Sequence, residues 1–182
     1  MTQFANDAFL DGSAAAAAHG MWPRAYDLAS WTVLYRFVSL THSPAPRVAA
    51  DGPWWFEYEG YQQIRTFAER NHYPLGYAAR LFAGILYEWS EVDAVVRAEV
   101  ARGPLRAWKG RGKQVAAKRA DPRDVAVRHG LVTEREPSVS ARMTPMQGPL
   151  EVLQVYIPGL GRPHWQFNDL MRLVDVQGIA TG

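Results

Sequence analysis

The stretch WTVLYRFVSL, residues 31–40, decides how this chain is read. It is rich in β-branched and aromatic residues and is stopped by the turn-forming THSPAP of 41–46, so it reads as a β-strand. Alternation places Thr32, Leu34, Arg36 and Val38 on one face and Val33, Tyr35 and Phe37 on the other. An arginine therefore stands among core positions, where a guanidinium is costly unless it meets a carboxylate or a ligand phosphate. A second strand is read in PLEVLQVYI, 149–157, which ends at Pro158-Gly159 and lines one face with Glu151, Leu153, Val155 and Ile157. Both strands are too apolar to stand alone, so they are expected in one mixed or antiparallel sheet.

Working outward, Gly52-Pro53-Trp54-Trp55-Phe56 sets three aromatics after a turn, suited either to wall a pocket for a flat ring or to fill a core. Helical spacing of Tyr58, Tyr61, Ile64, Phe67 and Ala68 predicts one helix, and 75–87, introduced by Pro74, predicts a second. Ser90 to Asp93 looks like a capping box, so a short helix is expected there, followed by a strand to Val100. Residues 105–109 continue that strand after the Gly103-Pro104 turn, and 113–142 read as largely loop. Phe167, Leu170, Met171 and Val174 repeat at i, i+3, i+4, i+7, which predicts a terminal amphipathic helix. No Gly-rich strand-to-helix turn occurs, so the expected class is α+β, a mixed or antiparallel central sheet with flanking helices, rather than a doubly wound nucleotide fold. Residues 1–20, with the alanine run 14–18, are expected to be an N-terminal arm, a short helix or mobile, ahead of a single domain over 21–182.

Of the 182 residues, 48% are apolar and 21% charged, with 7 Trp, 8 Tyr and 7 Phe, enough to build one core. No apolar run approaches the roughly 20 residues of a membrane span. The acidic start around Asp7 and Asp11 does not resemble a cleaved signal, so the expected location is the cytoplasm, or export without a cleaved signal peptide. The absence of cysteine excludes disulfides, thiolate metal sites and cysteine nucleophiles. Five scattered histidines, with no pair at i, i+4, predict no metal. Serines lack a GxSxG context, and Gly110-Arg111-Gly112-Lys113 lacks the spacing of a phosphate loop.

The net charge of +2 hides an uneven distribution: residues 97–128 hold ten basic and three acidic side chains. Arg106, Lys109, Arg111 and Lys113 flank Trp108, a pattern suited to nucleic acid or an acidic protein surface, or to a plain solvated face.

Leu34-Tyr35-Arg36, the Gly52–Phe56 segment and Glu151 within Leu150-Glu151-Val152-Leu153 follow one another in an order that resembles bacterial ADP-ribosyltransferase-like toxins and effectors. The resemblance spans 31–161. It implies NAD as cofactor, Arg36 on its phosphates, Trp54 or Trp55 at the nicotinamide, and Glu151 as the catalytic carboxylate. It further implies a macromolecular acceptor, or water in an NAD glycohydrolase. The chain departs from that pattern in lacking a Ser-Thr-Ser triplet, of which Ser138-Val139-Ser140 is a distant echo, and in carrying Pro149 two residues before Glu151. Its Glu-x-Glu pairs are Glu57-Tyr58-Glu59 and Glu134-Arg135-Glu136. The alternative reading is a non-enzymatic module that binds nucleic acid or an acidic protein surface through 97–128.

Overall fold

The computed structural model describes residues 2–11, 24–40, 51–85, 90–111, 115–116, 142–143, 152–160 and 170–179. Strands β1 (Arg24–Leu28), β2 (Val33–Val38) and β3 (Trp54–Glu57) lead into helices α1 (Tyr58–Asn71) and α2 (Leu75–Ala83). Strands β4 (Ala94–Val100), β5 (Leu105–Arg111), β6 (Val115–Ala116), β7 (Arg142–Met143), β8 (Leu153–Tyr156) and β9 (Met171–Gly178) follow. Seven of them form a sheet in the order β1-β5-β8-β3-β2-β4-β9, every neighbouring pair antiparallel, while β6 and β7 pair separately. The expected α+β class and the shared sheet of the two sequence-read strands are both present.

Two short links shape this sheet. Residues 29–32 join β1 to β2, and 101–104 join β4 to β5, although three strands lie between the members of each pair. In a flat sheet four strand spacings measure about 19 Å, beyond the roughly 17 Å that such a link covers. The sheet therefore folds over along β2 and β3, bringing β1-β5-β8-β3 against β2-β4-β9. Cross-links close the fold: Trp31 N–H donates to Val100 O at 2.8 Å, Val100 N–H to Thr32 O at 3.0 Å and Gly103 N–H to Ser30 Oγ at 3.0 Å. Between the halves lies a buried core that includes Leu28, Leu34, Trp55, Val96, Leu105 and Val155. On the outer face α1 and α2 cover a second core, among it Phe37, Phe56, Ile64, Phe82 and Val95. Gln154 ties β8 to the end of α2, its Nε2 donating to Ala83 O at 2.9 Å.

Several sequence expectations are corrected. The amphipathic pattern ending at Val174 belongs to strand β9, which pairs with β4 from Val100–Met171 to Ala94–Gly178; Phe167 lies outside the described residues. Its buried residues Leu170 and Met171 meet the inner core, a need that a strand answers as well as a helix. Ser90 to Asp93 form no helix. Ser90 Oγ accepts the Val92 N–H at 3.1 Å, Val92 takes φ 53°, and the buried Arg80 holds Ser90 O at 2.7 Å. The second helix stops at Ala83, where Gly84 at φ 67° supplies a left-handed cap. The first sequence-read strand also starts later than expected, since Trp31 takes φ 71° and the ladder begins at Val33.

Residues 2–11, placed by sequence in an N-terminal arm, lie on the sheet. Ala5 N–H donates to Pro104 O at 2.9 Å. The fully buried Asn6 donates through Nδ2 to Arg106 O and Pro158 O and accepts the Arg106 N–H through Oδ1. Phe9 packs on Gly159, whose φ of 92° and lack of a side chain leave room for the ring. No helix among the described residues is long and apolar enough to cross a membrane. Replacing Asn6 with Ala is expected to strip partners from buried backbone groups and lower stability by about 2–3 kcal/mol. Urea unfolding followed by far-ultraviolet circular dichroism measures it.

Candidate functional site

The fold line is held by few bonds. Strands β2 and β3 share only the pairs Leu34–Glu57 and Tyr35–Phe56. Beyond them the strands part, and the Trp54 carbonyl accepts Nη1 of Arg36 at 3.0 Å. Arg36 shares its face of β2 with Leu34 and Val38, so it enters the space between the two halves. Its guanidinium lies over Gly52, where an added Cβ would come within 2.2 Å of Nη2. Trp55 clamps the same turn, its Nε1 donating to Gly52 O at 2.8 Å. Burial lowers the Arg36 pKa to about 10, against the opposing pull of the Asp51 carboxylate. A cation desolvated in this way gains from any anion set beside it.

A second polar group occupies the same inner face. Glu57 is the N-cap residue of α1, yet its carboxylate makes no capping bond. It turns instead toward β1 and β5, accepting the Tyr26 hydroxyl at 2.7 Å through Oε1 and the Lys109 ammonium through Oε2. The ammonium also lies 4.8 Å from the centre of the Tyr26 ring. Side-chain exposures of 15% for Glu57 and 28% for Lys109 leave the group reachable from solvent. The bond to Glu57, then burial, pushes the Tyr26 phenol up to about 12.

These positions sort the residues read from sequence. Arg36, Trp54 and Trp55 are brought together, but Trp55 is fully buried in the inner core and presents no ring to a ligand. Trp54 is half-buried and meets Tyr156 at a centroid distance of 4.8 Å on the outer face. Glu151 and Lys113 lie outside the described residues. Arg106 and Lys109 do not form one cationic face, because 105–111 is a strand whose side chains alternate. Arg106 pairs with Asp27 at 3.1 Å and covers the Phe4 ring at 4.4 Å, whereas Lys109 pairs with Glu57 on the opposite face. Arg111 is exposed at the end of β5. The Tyr26–Glu57–Lys109 group escaped sequence reading because its members lie 31 and 52 residues from Glu57. The Glu57-Tyr58-Glu59 pair was its one local signal. Among the described residues no group of three His, Asp or Glu is placed to hold a metal.

No protein-family description matches the sequence, and no curated protein matches it. Among solved structures, Tne2 in complex with Tni2 is similar at 14% identity, with 88% of this chain and 94% of that chain covered and a TM-score of 0.43.

Gly52→Ala is expected to push the guanidinium off the Trp54 carbonyl, costing about 1 kcal/mol. In an Arg36→Ala background the same change should cost much less, and a double-mutant cycle by urea unfolding reads the difference. Because the folded-state pKa of Tyr26 is raised, its contribution to stability is complete below pH 10 and is lost as pH climbs through about 12. Tyr26→Phe should delete the highest-pH step from the phenolate absorbance titration and flatten the alkaline loss of stability.

Proposed function

We propose that the chain is an NAD-using domain of the ADP-ribosyltransferase-like or NAD glycohydrolase-like kind. The observation that carries this reading is Arg36: a guanidinium drawn between the two halves of the sheet, seated on Gly52 and lowered in pKa by burial to about 10. The residues fit an anionic ligand, since a phosphate at Arg36 would offset the desolvation with charge-assisted hydrogen bonds. In this reading Arg36 holds the pyrophosphate of NAD, and Glu151 stabilises positive charge as the bond between ribose and nicotinamide breaks. The acceptor is a macromolecule in the transferase form and water in the glycohydrolase form.

The alternative, nucleic acid or an acidic protein on 97–128, loses support from the pairing of Arg106 with Asp27 and of Lys109 with Glu57. Calorimetric titration with NAD separates the two. Binding by the wild type, weakened about tenfold or more in Arg36→Lys because lysine lacks the planar fork, is the expected result. Glu151→Gln should bind NAD but release no nicotinamide. No heat at millimolar NAD, together with nucleic-acid binding that falls steeply with salt, would favour the alternative.

A further inference from the structure

Glu57 and Arg36 occupy the same inner face at the fold line. Glu57 faces Leu34 across the ladder, and Arg36 is two residues beyond Leu34 on β2. The carbonyl that Arg36 grips belongs to Trp54, three residues before Glu57, a span on the order of 10 Å along an extended chain. The carboxylate is held by Tyr26 and Lys109 from β1 and β5, neighbouring strands in the same half of the sheet, so two strands fix its position. A carboxylate offers about four acceptor positions, two of which these partners take. Lysine supplies up to three donors, and its aliphatic stem and the Tyr26 ring give apolar flanks. An acceptor beside a donor, framed by an aromatic ring and partly exposed, suits neighbouring hydroxyls on a sugar ring. Where an ion pair is this far buried, apolar residues of similar volume often serve stability as well or better.

We infer that Glu57, with Lys109 and Tyr26, forms a subsite for the vicinal hydroxyls of a ribose on the face that carries Arg36. This rests on the NAD reading and deepens it: Arg36 takes the phosphate, and the Glu57 carboxylate accepts hydrogen bonds from the hydroxyls of the adjoining ribose. Lys109 and Tyr26 act through Glu57 as positioning residues, keeping the carboxylate aimed.

Calorimetry with three probes tests it: NAD, an NAD analogue lacking both hydroxyls of the nicotinamide ribose, and inorganic pyrophosphate. The wild type should bind NAD about tenfold or more tightly than the analogue, as expected for lost hydrogen bonds to a charged group. Glu57→Gln should lose most of that preference while binding pyrophosphate as the wild type does. Because Glu57→Gln leaves the ammonium without its carboxylate, the paired variant Glu57→Gln/Lys109→Met serves as the second test and should show the same loss. Wild-type binding of NAD with no preference over the analogue, or variants that keep it, overturns the ribose subsite and leaves the NAD reading standing. If the wild type binds neither NAD nor the analogue, both fall.

Discussion

The molecule depends on a ladder of two residue pairs, Leu34–Glu57 and Tyr35–Phe56. On the β2 side the strands are more extensively paired, six pairs between β2 and β4 and seven between β4 and β9, while on the other side β3 meets β8 through two pairs, Trp54–Tyr156 and Trp55–Val155. A junction this short lets the sheet turn sharply, and the four-residue links 29–32 and 101–104 require that it does. One constraint thus produces both the inner core and the place where polar side chains enter it.

A sharp turn in a sheet carries a cost, because backbone groups near the fold line lose their ladder partners. Part of that cost is met by side chains. Arg36 takes the carbonyl of Trp54, and Trp55 takes that of Gly52. The outer face carries the mechanical reinforcement, with Tyr35 stacked on Tyr61 at 4.3 Å and Phe37 set edge-on to Phe56 at 5.9 Å. Helix α1 is thereby fastened across this short joint of the sheet, leaving the inner face to accommodate charge.

Legibility from sequence followed the range of the interactions. The strand around Leu34-Tyr35-Arg36-Phe37, the helix beginning at Tyr58 and the turn at Gly103-Pro104 could be read because their patterns are local. Strand β1, with the polar sequence RAYDL, carries little of the alternation that marks a half-buried strand, and only its pairing with β5 makes it one. The pattern Leu170, Met171, Val174 suits either element, and the partner β4 decides it. At the site, Arg36 was visible as a charge among apolar neighbours, whereas Glu57 was one half of a Glu-x-Glu pair and Lys109 one cation in a basic stretch. Their meeting with Tyr26 depends on strand order, which no local pattern encodes. Trp55 had the right chemistry for a ligand wall, but the alternation of β3 turns it into the core.

The docking of Asn6 has a kinetic side. Its amide bonds Arg106, 100 residues later, and Pro158, 152 residues later. At translation rates of about 5–20 residues per second, some 8–30 s separate the synthesis of Asn6 from that of its last partner. Until Arg106 is made the segment around Asn6 waits without these hydrogen bonds, while β1 waits for β5, whose nearest register pair, Leu28–Leu105, spans 77 residues. Contacts this distant in sequence close slowly. A nascent chain of this protein therefore carries the segment around Asn6 as a latecomer to its own fold, and that interval is when a chaperone or a protease would find it.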